Sequence, residues 1–107
     1  MKRVLFICSA NKLRSPTAEH VFAKWPGIEA DSAGISESAE TVLSREQVDW
    51  ADIIFVMERV HQNRLRKKFK EDVSGKRLIC LGIPDDYAYL DPDLIKLLEA
   101  KVGPFLR

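Results

Sequence analysis

Apolar residues fall in short runs separated by longer stretches of mixed polarity. Val4-Leu5-Phe6-Ile7-Cys8 is continuous and partly β-branched, the pattern of a strand covered on both faces in a parallel sheet. Ser15-Pro16 then opens a segment with Ala18, Val21, Phe22 and Trp25 at offsets of 0, 3, 4 and 7. That spacing predicts an amphipathic helix, with Ser15 as N-cap, Pro16 at the first helical position and Pro26-Gly27 as the stop. Ile28 to Ala33 predicts a second strand ended by Gly34, and Ile35 to Thr41, which has no period, reads as a loop. Ser44-Arg45-Glu46-Gln47 is a capping-box pattern and predicts a short helix over residues 45–51. Ile53 to Met57 is the strongest buried-strand signal, bounded by Asp52 and Glu58. A polar helix over residues 58–70 follows, with Leu65 and Phe69 turned inward, and Leu78 to Ile83 repeats the strand pattern. Asp91-Pro92 caps a last helix whose Leu94, Leu97, Leu98 and Val102 face inward, with Gly103-Pro104 as its stop.

Four strands alternating with helices predict an α/β fold: a single-domain three-layer sandwich, with a four-stranded parallel sheet and helices on both faces. In such sheets ligands bind beyond the carboxyl ends of the strands, where strand order reverses, and Cys8 lies at such an end. The length of 107 residues leaves room for one domain, 1–107. With 46% hydrophobic and 31% charged residues the chain is of ordinary globular composition, which argues against disordered and fibrous classes. Seventeen Lys plus Arg against sixteen Asp plus Glu leave a net charge of +1, so the molecule as a whole has no electrostatic pull toward nucleic acid or membrane. No run approaches the roughly 18 apolar residues of a membrane span. Met1-Lys2-Arg3 leads into only five apolar positions, too few for a signal peptide, and a cytoplasmic location is expected. Cys8 and Cys80 are too few for a disulfide scaffold and show no metal-ligand spacing, so neither metal nor cofactor is expected. Cys80, inside an apolar strand, reads as core; His20 and His61, on helices, read as surface or satisfied residues rather than ligands.

The candidate chemistry lies in Cys8-Ser9-Ala10-Asn11-Lys12-Leu13-Arg14-Ser15, between a buried strand and a helix start. Residues wrapping onto a helix N-terminus can aim successive backbone N–H groups into one concavity, to which the helix dipole adds partial positive charge. The expected anion site is Ser9, Ala10, Asn11, Lys12, Leu13, Arg14 and Ser15, with Cys8 at its rim as a nucleophile favoured as thiolate by those donors. Arg14 offers a planar fork for two phosphoryl oxygens, a geometry Lys lacks. Asn11 tolerates positive φ in a loop that has no glycine. Ser15 can donate its hydroxyl to the Cys8 sulfur. The plainer alternative is a buried strand-end Cys beside a capped helix and a surface Arg.

On these residues the sequence resembles the low-molecular-weight protein tyrosine phosphatase family, which shares its fold with thioredoxin-coupled arsenate reductases. Matching positions are Val4 to Cys8, Asn11, Arg14-Ser15-Pro16, Ala18-Glu19, Asp31-Ser32-Ala33-Gly34, Ala51-Asp52 and Val56-Met57. The resemblance implies metal-free phosphomonoester hydrolysis through a cysteinyl-phosphate. Its substrate would be a phosphotyrosine protein or small aryl phosphate, and phosphate or vanadate would inhibit. The family's general acid sits in an Asp-Pro pair before the last helix. Here Pro84-Asp85-Asp86-Tyr87-Ala88-Tyr89-Leu90-Asp91 puts the acid on Asp85, with Asp86 in the proline's place as the alternative and Asp91 as a helix cap. Two neighbouring carboxylates repel when both are ionised, which favours a retained proton. Tyr87 and Tyr89 either flank an aromatic substrate or pack on the sheet edge. Compared with the family, the segment between Gly34 and Trp50 is shortened, which implies a more open substrate side. Arsenate reduction is disfavoured because no second Cys lies near Cys80 to form a relay disulfide. The remaining alternative is a non-catalytic phosphate- or nucleic-acid-binding module built on the basic helix 59–70, which carries Arg59, Arg64, Arg66, Lys67, Lys68 and Lys70.

Overall fold

The computed structural model describes all 107 residues. Four parallel strands, β1 (Lys2–Cys8), β2 (Ile28–Gly34), β3 (Ile53–Val56) and β4 (Arg77–Cys80), lie in the order β2-β1-β3-β4. The chain leaves β1 toward β2 on one side and returns to β3 on the other, so strand order reverses at β1. The carboxyl end of β1 is therefore the switch-point crevice, and Cys8, paired in register with Gly34, ends it.

Alternation along β1 divides the core into the two faces of the sheet. Val4, Phe6 and Cys8 point to the side covered by α1 (Arg14–Phe22) and α5 (Pro92–Leu106), where they join Phe22, Phe55, Leu94, Leu98 and Val102. Leu5 and Ile7 point to the side of α2 (Arg45–Trp50), α3 (Arg59–Lys68) and α4 (Lys70–Val73), among Val48, Ile54, Leu65, Phe69 and Val73. The sandwich expected from the sequence is thus the observed architecture. Phe6 stacks between Phe22 and Phe55 at centroid distances of 5.5 and 5.4 Å, fixing the strand that carries the site from below. No helix is long and apolar enough to cross a membrane.

Several boundaries differ from expectation. Leu13, not Ser15, caps α1, and makes no side-chain cap bond; Ser15 is turned into the interior, where its hydroxyl meets the Cys8 sulfur at 2.9 Å. The 58–70 helix breaks at Phe69, whose backbone (φ −124°, ψ 40°) leaves the helical region and starts α4. β4 ends at Cys80 instead of Ile83, although Leu81 and Ile83 still donate to Val56 O and Met57 O at 2.9 and 2.8 Å. Cys80 itself is only partly buried. Gly103-Pro104 does not stop the last helix, which runs to Leu106. Its final turn is held by packing. Gly103 is buried, Phe105 meets Phe55 edge-on at 5.8 Å, and Pro104 removes one hydrogen bond to the exposed Ala100, whose carbonyl water can satisfy. The Ser44–Gln47 capping box and the Asp91 cap form as expected.

Candidate active site

Residues 9–13 follow β1 directly and lead into α1, and the 35–41 segment lies beneath them. Ile35, Ser36 and Glu40 donate their N–H groups to the carbonyls of Cys8, Ser9 and Ala10 at 2.9, 3.1 and 3.0 Å. With those carbonyls held from below, the N–H groups of Ser9, Ala10, Lys12 and Leu13 have no protein acceptor, and that of Asn11 points at the Cys8 sulfur at 3.3 Å. Ser9, Ala10, Lys12 and Leu13 line a cleft of about 250 Å³ together with Cys8, Arg14 and Asp85. Free N–H donors at a helix start around one concavity can hold an anion. The approach of the two segments requires Gly34, because a Cβ there would sit 2.6 Å from Ser9 O and collide with Ala39 Cβ.

Of the loop residues expected to hold anion, Asn11 and Ser15 do not line that cleft; both are buried behind it. Asn11 takes the left-handed conformation (φ 56°), as its residue type allowed. Its amide donates to Ser15 Oγ at 2.9 Å and Ser32 Oγ at 3.0 Å, and Ser32 donates to Glu19 Oε1 at 2.5 Å. The curl of the loop is thereby tied to β2 and α1. Ser15 Oγ accepts from Asn11 and has two acceptors in reach of its one proton, Cys8 Sγ at 2.9 Å and Ala33 O at 3.4 Å, of which a charged sulfur is the nearer and the stronger. Two donors therefore face the sulfur, the Ser15 hydroxyl and the Asn11 N–H, and both stabilise negative charge on it.

Arg14 is buried, with only 3% of its surface exposed. Its Nη1 donates to Glu58 Oε2 and to Ile83 O, both at 2.8 Å, and Nε lies 3.6 Å from Asp85 Oδ1. The fork is held in place from β3 and from the segment after β4. Glu58 was read from the sequence only as a strand boundary; it is a support for the arginine. The Arg14 hydrogen bond holds its carboxyl below the ordinary value of 4.5. A carboxylate following a buried strand's carboxyl end was the signal available in the sequence.

His61 is buried and satisfied. Glu58 N–H donates to Nδ1 at 3.1 Å, so Nε2 carries the proton and donates to Ser9 Oγ at 2.8 Å. Burial first, and the Arg14 cation second, push His61 below its ordinary value of 6.5. The unfolded chain therefore takes up a proton at His61 before the folded one does. Stability falls as pH drops below about 6.5, with a slope of at most about 1.4 kcal/mol per pH unit from this group. Glu58, also depressed, adds a second loss as pH falls from about 4.5 through its lower folded value. Denaturant unfolding from pH 7.5 to 5 is expected to show the first slope in the wild type and not in His61→Gln.

Asp85 reaches the cleft and remains 65% exposed, whereas Asp86 is exposed outside its lining. The turn is anchored at both ends. Arg14 holds Ile83 O, and Leu90 N–H donates to Thr17 Oγ1 at 3.0 Å. The tyrosines part company: Tyr87 packs against the core, and Tyr89, 48% exposed, borders a hollow shared with Asn11 and Lys12. Cys8 and Cys80 lie on opposite faces of the sheet, two strands apart. Two strand spacings of about 4.8 Å exceed the ~7 Å Cα separation that a disulfide bridges.

Comparison with known proteins agrees with this geometry. Residues 3–48, which contain β1, the loop, α1, β2 and the segment beneath the loop, match the model of the low molecular weight phosphotyrosine protein phosphatase family. A protein-arginine-phosphatase of Geobacillus stearothermophilus is 28% identical, over 64% of this chain and 63% of that protein's length. The solved structure of YwlE arginine phosphatase from the same organism superposes with a TM-score of 0.77 at 22% identity, covering 99% of this chain and 93% of that one. A low molecular weight protein tyrosine phosphatase from Streptococcus pyogenes gives 0.80 at 18%, over 99% and 91%. Vibrio vulnificus Wzb, solved with benzylphosphonate, gives 0.78 at 21%, over 97% and 96%. The resemblance read from the sequence holds at two levels, the family pattern over residues 3–48 and the fold over nearly the whole chain.

Proposed function

Starting from a loop pattern and a fold shared with the low molecular weight phosphotyrosine protein phosphatases, we propose that this chain hydrolyses phosphomonoesters through a cysteinyl-phosphate, with protein phosphotyrosine as its substrate. One observation carries the reading: Cys8 Sγ sits in a cleft walled by Arg14, Asp85 and loop residues whose N–H groups have no other acceptor. Three phosphoryl oxygens accept from those N–H groups and from the free edge of the Arg14 guanidinium. The Cys8 thiolate attacks phosphorus and forms the S–P bond as the P–O bond breaks. The Asp85 carboxyl gives a proton to the departing oxygen. Water then attacks the phosphocysteine, Asp85 takes its proton, and the S–P bond breaks to release phosphate and the thiolate. The Ser15 hydroxyl stabilises the sulfur when it is negative, at the start and at the end.

The cleft's charge favours an aromatic phosphoester over phosphoarginine. Arg14 is matched by Glu58 and Asp85, whereas Lys12 on the cleft's lining has no carboxylate partner, and a guanidinium brought in on the substrate meets that ammonium. Tyr89, exposed beside Lys12, offers a flat partner to an aryl ring.

The test is metal-independent hydrolysis of p-nitrophenyl phosphate and phosphotyrosine peptides, inhibited competitively by phosphate and vanadate. Asp85→Asn is expected to lower kcat by about 10²-fold on a poor leaving group such as an alkyl phosphate, and much less on p-nitrophenyl phosphate. Asp86→Asn is expected to leave both within about twofold. The reverse ranking would move the acid to Asp86, and a substrate panel in which phosphoarginine is hydrolysed faster than phosphotyrosine would overturn the substrate assignment.

A further inference from the structure

The surface formed by α3 and α4 takes no part in the chemistry above. Between Arg59 and Lys76 there are seven Lys or Arg residues and two carboxylates, whereas the rest of the chain has ten against fourteen. The net charge of +1 therefore hides a segregation of +5 on this segment and −4 on the remainder. Asp72 is engaged by Arg45 at 3.1 Å, and Lys76 donates to Asp49 O and Ala51 O at 2.9 and 2.7 Å. Arg64, Arg66, Lys67, Lys68 and Lys70 are exposed and form no ion pair. Cations so concentrated repel one another and raise the free energy of the unliganded surface, which an anionic partner relieves.

These side chains wall two adjoining hollows. One, of about 380 Å³, lies between Ile35, Arg64, Lys67 and Lys68; the other, of about 590 Å³, runs from Arg66, Lys67 and Lys70 to the turn at Ser74-Gly75-Lys76. Lys67 lines both, so the two hollows adjoin along its side chain as a basic groove. The near end touches the catalytic loop: Ile35 N–H is bonded to Cys8 O, and His61, on the first turn of α3, to Ser9. From His61, Arg64 lies about 4.5 Å and Lys68 about 10 Å along the helix axis, which an extended peptide covers in roughly one to three residues. No aromatic ring is presented along the groove. Phe69, the one on this segment, is buried, so there is no stacking platform for unpaired bases.

We infer that this groove binds an acidic stretch of the protein substrate, a few residues from the phosphorylated side chain, and so selects phosphoproteins with carboxylate-rich flanks. The inference rests on the phosphatase reading and extends it to substrate choice. Two phosphotyrosine peptides test it, identical except for Glu or Gln at the second to fifth positions on both sides of the phosphotyrosine. At low ionic strength the wild type is expected to show about tenfold higher kcat/KM on the Glu peptide, and the advantage is expected to vanish near 1 M salt, where screening acts within about 3 Å. Lys67→Glu/Lys68→Glu is expected to abolish or invert the preference while kcat/KM on p-nitrophenyl phosphate stays within twofold. Arg64→Gln/Lys67→Gln, a milder variant, is expected to reduce it. Equal kcat/KM on both peptides would overturn the inference, as would an oligonucleotide that binds this face more tightly than the Glu peptide. Fluorescence anisotropy of both peptides on Cys8→Ser reads the groove without turnover. A wild type that fails to hydrolyse p-nitrophenyl phosphate ends the phosphatase reading, while the anisotropy arm still decides whether carboxylates are recognised.

Discussion

Cys8→Ser is expected to lower kcat on p-nitrophenyl phosphate by about 10⁴–10⁶-fold, as removal of an activated nucleophile does elsewhere, while leaving the fold and phosphate affinity nearly intact. The substitution replaces sulfur by oxygen at a position 3% exposed, in a strand held on both faces. The loop N–H groups and Arg14 remain in place because their main supports do not pass through the sulfur: the loop carbonyls are fixed from the 35–41 segment and the guanidinium by Glu58 and Ile83, while the Asn11 N–H and the Ser15 hydroxyl meet the serine oxygen in place of the sulfur. A serine hydroxyl, flanked by donors from Ser15 and Asn11 and by no base, does not become an alkoxide at neutral pH. Turnover and binding should therefore separate. Steady-state kinetics and phosphate titration by calorimetry check the two halves, and a variant that keeps wild-type turnover would remove Cys8 from the reaction.

Arg14→Lys is expected to cost about 10²–10³-fold in kcat/KM, the range for loss of one preorganised donor to a developing oxyanion. It also destabilises the protein, by about 1–3 kcal/mol. Lysine keeps the charge and loses the fork. The Arg14 Nη1 meets both Glu58 and Ile83 O while the other edge of the guanidinium faces the cleft with Asp85. A single ammonium cannot serve the support and the phosphoryl group together. The structural part is discounted for Glu58, whose side chain is 39% exposed and can rehydrate. Kinetics on p-nitrophenyl phosphate and thermal denaturation measure the two effects, and full activity with unchanged stability would show that neither contact is used.

The strands and the chemistry-bearing loop were legible in the sequence because each leaves a local mark. A continuous apolar run such as Ile53 to Met57 must be buried on both faces, and Cys8 followed by Arg14-Ser15-Pro16 sits where a strand gives way to a helix. What stayed hidden was set by contacts between distant parts of the chain. Ser15 has the composition of an N-cap, but Cys8 and Asn11 draw its hydroxyl inward and the helix begins beside Leu13. Pro104 reads as a helix stop, yet the packing of Phe105 on Phe55 carries α5 through it. Glu58 read as a strand boundary and His61 as a surface or satisfied residue, and the second of those options is what the structure shows, but nothing nearby in sequence reveals that Arg14 and Ser9, more than forty residues away, are their partners. The loop expected to hold an anion does not act as one set in the structure: Asn11 and Ser15 stand behind the cleft while their neighbours line it.

The covalent intermediate is the most direct test of the account. Radiolabelled phosphotyrosine peptide mixed with the wild type, quenched by alkaline denaturation within a single turnover and digested, should leave label on the peptide that contains Cys8, with the alkali stability and the acid and iodine lability of a thiophosphate. The label should be absent in Cys8→Ser. Hydrolysis at the full rate with no label on Cys8, or with label on an oxygen or nitrogen elsewhere, would contradict it.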